Sequence, residues 1–181
     1  MPLPDLARDI AVSNGRAYVA AGSAGIQVVA LDAQVAEPIG RLTTAGRAAG
    51  IRVAGSRAYV AAAGAGGGLH ILDIANPTAP RLLGSAPTYG SATALDLASG
   101  LAYVAGGLGG GVEIFDVANP AAPSLRGALI TPGNAQGIAV RGPRAYIAAG
   151  VCGLQILDVA DPADPRLLGA VPPAARHWRS R

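Results

Sequence analysis

The chain contains no lysine: all 14 of its basic residues are arginines. Chemistry that needs a side-chain amine is thereby excluded, including Schiff-base and pyridoxal chemistry, the phosphate-loop lysine and the kinase strand lysine. There is a single cysteine, Cys152, so no intrachain disulfide forms and the redox compartment cannot be read from thiol usage. Glutamate is confined to Glu37 and Glu113, and histidine to His70 and His177. No Gly-x-Ser-x-Gly elbow is present, and no Ser, His and Asp set has a recognisable context. Aromatics make up 4% of the chain and charged residues 14%, so the side chains are small and mostly uncharged. The longest charge-free stretch, between Asp96 and Glu113, is rich in glycine and falls short of the roughly 18 apolar residues a membrane helix requires. No membrane span is expected. The N-terminal Met1 to Asp9 carries no basic segment followed by an apolar one, so no signal peptide is expected in it.

Charge of one sign is also missing as a surface feature. Arg176, Arg179 and Arg181 account for the net charge of +3, since residues 1–170 hold 11 arginines against 11 acids. The excess belongs to a tail, residues 171–181, read as a flexible basic end, and a nucleic-acid partner is not expected of a neutral body.

What the chain has is 26 glycines, 14 prolines, a 51% hydrophobic composition and a repeat. Gly25, Gly68, Gly111 and Gly153 stand 43, 43 and 42 residues apart, each followed by an apolar, polar, apolar, apolar run: Ile26 to Val29, Leu69 to Leu72, Val112 to Phe115 and Leu154 to Leu157. Tyr18, Tyr59, Tyr103 and Tyr146 fall in the same register, and eight residues before each lies Ile10, Ile51, Leu95 or Ile138. A period of this length, built from short aliphatic runs punctuated by Gly and Pro, reads as four strands per repeat. In the fourth copy the strands are predicted at Gly137 to Arg141, Arg144 to Ala148, Leu154 to Val159 and Arg166 to Ala170. Asn14-Gly15 supplies the positive-φ pair that a tight first hairpin needs. The glycine-rich link between second and third strands reads as a surface loop, and the prolines of Asp73 to Pro80 and its equivalents end the third strand.

The third strand is apolar in both directions, so both faces of each small sheet must be covered. A four-stranded sheet cannot do this alone, whereas stacked sheets can. The predicted fold is therefore all-β: a β-propeller of four blades of about 43 residues, each of four antiparallel strands, occupying residues 1–170. The blades are placed at about 5–45, 46–88, 89–131 and 132–170. An open arc, a closed four-blade ring and another stack all satisfy the pattern. An open arc would leave two apolar faces for self-association.

Gly153 to Gly169, with Arg144 to Gly150 before it, resembles the LVIVD repeat, and the resemblance extends over all four copies. It implies a β-propeller, usually of an exported or surface protein, with no particular activity. An extracellular or cell-surface location follows from the resemblance alone, and a cytoplasmic one stays open. The first copy departs from the pattern, with Ala30 where Asp73, Asp116 and Asp158 stand, which marks it as an end cap or a degenerate blade.

Asp73, Asp116 and Asp158, with Asn76, Asn119 and Asp161, are read as acceptors of backbone N–H groups in the turn after the third strand, not as metal ligands. The spacing of Asp158, Asp161 and Asp164 differs from that of a calcium loop. The clusters Gly64 to Gly68 and Gly106 to Gly111 open no helix and read as turns. Cys152 lacks an activating base and reads as filler. Gln27, His70, Glu113 and Gln155 share one strand position and are read as polar residues tolerated between blades or at a strand edge, and the tyrosines as packing wedges. No catalytic, cofactor or metal residue is assigned. The links between blades carry a Gly-x-Ala pattern with a changing polar residue, which makes Arg8, Arg47, Tyr89, Ser91, Asn134 and Gln136 the candidate binding-face residues. The expected function is a non-catalytic scaffold for a protein or glycan partner. The alternatives are a hydrolase or lyase type of enzyme with its site at the channel mouth, and a piece of a larger propeller with no activity of its own.

Overall fold

The computed structural model describes residues 5–32 and 38–173. Four antiparallel sheets follow one another along the chain, each a meander in strand order. Blade 1 comprises β1 (Asp9–Ser13), β2 (Arg16–Ala20), β3 (Ile26–Ala30) and β4 (Pro38–Leu42). Blade 2 comprises β5 (Arg47–Ala54), β6 (Arg57–Ala63), β7 (Gly68–Asp73) and β8 (Arg81–Ala86). Blade 3 is β9 (Ala94–Ala98), β10 (Leu101–Ala105), β12 (Val112–Asp116) and β13 (Ser124–Leu129), with a short β11 (Gly107–Leu108) in its central loop. Blade 4 is β15 (Gly137–Arg141), β16 (Arg144–Ala148), β17 (Leu154–Asp158) and β18 (Arg166–Val171), preceded by β14 (Asn134–Ala135). The four strands predicted in the last copy are thus found, the third ending one residue earlier and the fourth one later. The one helical turn beside these strands, among the described residues, is a 3-10 turn at Gly150–Cys152, so no helix there is long and apolar enough to cross a membrane.

Local chemistry sets the hairpins. Between β1 and β2 both turn residues take positive φ, Asn14 at 50° and Gly15 at 69°, and Ser99 and Gly100 repeat this in blade 3 at 51° and 75°. Blades 2 and 4 place positive φ at Gly55 and Gly142, the first turn position, leaving Ser56 and Pro143 second. Both arrangements match the right-handed twist of the flanking strands. Each outer strand carries one bulge at the same register, opposite Val28/Val29, Ile71/Leu72, Ile114/Phe115 and Ile156/Leu157. A bulge there bends the outer strand and strengthens its twist.

The core is divided into three layers, one between each pair of consecutive blades. Tyr18, Ala20, Ile26 and Val28 of blade 1 meet Ala48, Ile51, Ala58, Val60, Leu72 and Ile74 of blade 2. Tyr59, Ala61, Leu69 and Ile71 meet Leu95, Val104, Phe115 and Val117 of blade 3. Tyr103, Val112 and Ile114 meet Ile138, Ile147, Leu157 and Val159 of blade 4. Alternation along each strand sends one set of side chains to the preceding blade and the other to the following one. The first strands abut, β1 beside β5, β5 beside β9 and β9 beside β15, and so line the inner side of an arc that is not closed. The links from one blade to the next and the loops between second and third strands share one end of the arc. The hairpins and the proline turns share the other.

Candidate interaction surface

The three links between blades, residues 43–46, 87–93 and 130–136, each carry a Thr-x-Gly segment from their second residue: Thr44 to Gly46, Thr88 to Gly90 and Thr131 to Gly133. Two of them are held from beneath by the third strand of the blade they enter. The backbone N–H of Tyr89 donates to Glu113 Oε1 at 3.0 Å, and Gln155 Nε2 donates to the Pro132 carbonyl at 2.6 Å. His70 approaches the backbone of Ala45 without forming a well-shaped hydrogen bond to it. Blade 1 is entered by no such link, and Gln27 Nε2 instead donates to Ala24 in its own loop at 3.2 Å. The four side chains are 1–4% exposed. They are therefore not at a strand edge, one of the two placements the sequence allowed: Glu113 and Gln155 are buried where they bond the link above them, while neither ring nitrogen of His70 has a hydrogen-bond partner. Burial pushes the Glu113 carboxyl up to about 7 against the pull of the Tyr89 N–H, and lowers the basicity of His70.

The glycine-rich loops also do more than cap a sheet. Gly22 and Ala48 exchange backbone hydrogen bonds at 3.1 and 2.9 Å, and β11 pairs with β14 through Gly107 with Ala135 and Leu108 with Asn134. The loop of one blade thus joins the first strand of the next, at Ala48, or the link into it, at Asn134 and Ala135. Thr93 Oγ1 adds a bond to the Ala135 carbonyl at 2.6 Å and to Ala105 at 3.1 Å.

On this frame Arg8, Arg47, Ser91 and Gln136 are exposed, and Tyr89 is 74% exposed. Asn134 is half-buried with its Oδ1 enclosed. The Arg8 N–H extends the first-strand ladder to the Ala20 carbonyl at 2.8 Å. Cys152 is half-buried against Gly133, where a Cβ would collide with it. The turn aspartates and asparagines accept backbone bonds two residues on: Asp73 from Ala75, Asp116 from Ala118, Asp158 from Ala160, Asn76 from Thr78, Asn119 from Ala121 and Asp161 from Ala163, all at 2.9–3.2 Å. Arg81 Nη2 closes the blade 2 turn on Asp73 at 2.7 Å. The arginines of the tail lie outside the described residues, as do His177 and Glu37.

A second charged feature was not anticipated. Asp9 Oδ2 accepts the free-edge N–H of Ile51 at 2.9 Å and Arg52 Nη1 at 3.0 Å. Asp96 Oδ2 accepts the edge N–H of Val140, the counterpart of Val53 and not of Ile51, at 2.8 Å, while Arg52 Nε and Arg141 Nη1 stand 3.8 and 3.7 Å from its two oxygens. Acid and arginine therefore alternate along the inner strands and satisfy donors that no strand pairs. A charge beside Ile10, Ile51, Leu95 and Val140 in otherwise apolar first strands was the signal for it.

Stacked four-stranded meanders with their first strands inward and their blade-to-blade links at one end define a propeller-type repeat module. Residues 6–30, 45–88, 89–131 and 132–172 match the LVIVD repeat, and the chain belongs to the LVIVD-repeat family. No curated protein matches the sequence. Among solved structures, the computationally designed Ika8 protein matches with a TM-score of 0.70 at 13% identity, over 90% of this chain and 48% of that one. A functionally unknown protein from Desulfotomaculum acetoxidans DSM 771 matches with a TM-score of 0.75 at 15% identity, over 95% of this chain and 58% of that one. The designed Ika4 protein matches at 0.68 and 11% identity, over 86% and 92%. At these identities the likeness is one of fold. The chain spans about half the length of the first two.

Proposed function

We propose that the chain is a non-catalytic interaction module whose loop end holds a protein partner. The observation that carries this reading is the contrast between the buried side of the links and their tips. Glu113 and Gln155 fix the backbone from below, while Arg47, Tyr89 and Ser91 project from it into solvent. Tyrosine on a backbone already ordered before binding loses little further freedom, and tyrosine and arginine are the residue types on which interface energy concentrates. The repeat holds the frame constant and varies the tip, which is how a scaffold acquires a specific surface.

Affinity capture with the intact chain and with an Arg47→Ala, Tyr89→Ala, Ser91→Ala variant tests this. A protein partner retained by the parent should bind the variant at least about tenfold more weakly, with the melting temperature unchanged. Equal retention by both, or capture of a glycan and no protein, overturns the reading.

A further inference from the structure

The four most exposed large apolar side chains among the described residues all stand at one end of the arc: Val151 at 89%, Leu108 at 80%, Tyr89 at 74% and Ile130 at 73%. Each sits on a loop between second and third strands or on a link between blades. The segments that carry them are in contact. Gly90 lies so close to Gly106 and Gly110 that a Cβ on it would collide with both, and a Cβ on Gly111 would collide with the backbone of Ile130. Leu108 pairs with Asn134 across β11 and β14, and the Asn134 N–H donates to the Ala149 carbonyl at 3.4 Å, two residues before Val151. Single exposed aliphatic residues need no explanation, whereas a joined group exposing roughly a few hundred Å2 marks a contact surface.

Two properties of this patch indicate what it meets. Residues 87–93, 106–111, 130–136 and 149–153 contain no acidic or basic side chain, while Asp73, Asp116, Asp158, Asp161 and Asp164 all lie in the proline turns at the opposite end. Blades 3 and 4 therefore have an uncharged apolar end and a charged one. The loop backbone is also closed on itself. The Gly106 N–H donates to the Gly111 carbonyl at 2.9 Å, the Ala149 N–H to Gly153 at 2.8 Å and the Gly153 N–H to Gly150 at 3.0 Å, and the outer part of the blade 3 loop is paired through β11. A protein surface can bond an open loop; lipid cannot, so a loop that meets acyl chains must satisfy its own polar groups. Tyr89, at the edge of the patch, is the residue type that sits at headgroup level.

We propose that the loop end of blades 3 and 4 rests on a lipid bilayer, with Leu108, Ile130 and Val151 inserted at the boundary between headgroups and acyl chains. The chain lies on the membrane and does not span it, since three aliphatic tips reach only the outer part of one leaflet. The proposal does not rest on the protein partner, which is held by Arg47, Tyr89 and Ser91 toward blade 2; the two surfaces meet at Tyr89.

Co-sedimentation of the full chain with sucrose-loaded phosphatidylcholine vesicles tests it. At about 500 mM NaCl the attraction of arginine for phosphate is screened beyond a few Å, so binding that persists is apolar. The parent should sediment with the vesicles, and the Leu108→Ser, Ile130→Ser, Val151→Ser variant should bind at least about tenfold more weakly with its melting temperature unchanged. Val151→Ser alone, at the most exposed of the three, should weaken binding about threefold and keeps the test decisive if the triple variant fails to fold. Leu167→Ser, at an exposed leucine on the outer strand of blade 4, should bind as the parent does. Vesicle binding and protein capture are read on different variants, so either reading can fail alone. A parent left in the supernatant, equal sedimentation of parent and triple variant, an equal loss in Leu167→Ser, or vesicles left unbound while a protein is retained through these three side chains would each overturn the proposal.

Discussion

Glu113 and His70 hold the same place in successive blades, and loss of water moves their titrations in opposite directions. The Glu113 carboxyl, raised to about 7 from an ordinary 4.5, stays protonated in the folded chain where it ionises in the unfolded one. Its contribution is complete below about pH 4.5 and is lost as the pH rises to about 7, on the order of 3 kcal/mol in all. His70, lowered from 6.5, behaves in reverse: stability is full above its unfolded value and falls as the pH drops through it. Just below pH 6.5 the two slopes oppose each other and flatten the profile of the parent. Glu113→Gln retains an oxygen for the Tyr89 N–H while removing the charge. Its urea midpoint should rise at pH 8 and be unchanged at pH 4.5; an equal gain at both would show that burial of the carboxylate costs nothing. The shared column of Gln27, His70, Glu113 and Gln155 was legible in the sequence, but its role was not. Spacing reports that four side chains are equivalent, not that a link from the previous blade lies over three of them.

At the scale of strands and turns the sequence was nearly complete. Alternation and the proline pairs placed the strands of the fourth blade to within one residue, and Asn14-Gly15 placed the first hairpin of blade 1, because each signal is local. The turn role of Asp73, Asp116 and Asp158 was readable for the same reason, since the acceptor and the N–H it serves lie two residues apart. The pairing of β11 with β14 and the alternation of Asp9, Arg52, Asp96 and Arg141 were not, because both depend on which blade stands next to which. The outer-strand glycines show the same dependence and permit a direct comparison. Gly84→Ala drives a Cβ into the Pro120 carbonyl and should cost about 1–3 kcal/mol. Gly169→Ala, with nothing within 4 Å, should be neutral or stabilising by a few tenths of a kcal/mol through the unfolded chain. Urea denaturation of the two variants checks it; equal losses would mean that the glycines serve the strand itself and not the neighbour seated on it.

For the molecule as a whole, stability resides between sheets and not within them. Each layer is built largely from alanine, valine, leucine and isoleucine, and a fully buried Val or Leu contributes about 1.5–3 kcal/mol. Two such layers enclose each inner blade and one encloses each end blade, so the array gains with every neighbour added, as in other repeat proteins. A blade removed from the array would keep its hairpin turns and lose nearly all of its apolar cover. The most direct measurement is therefore far-ultraviolet circular dichroism and urea titration of a peptide comprising residues 89–131 alone, the blade covered on both sides in the intact chain. The expected result is an unfolded peptide with no cooperative transition. A native-like β spectrum with a sigmoidal urea transition for the isolated monomeric blade would contradict the claim that the sheets stand only by covering one another.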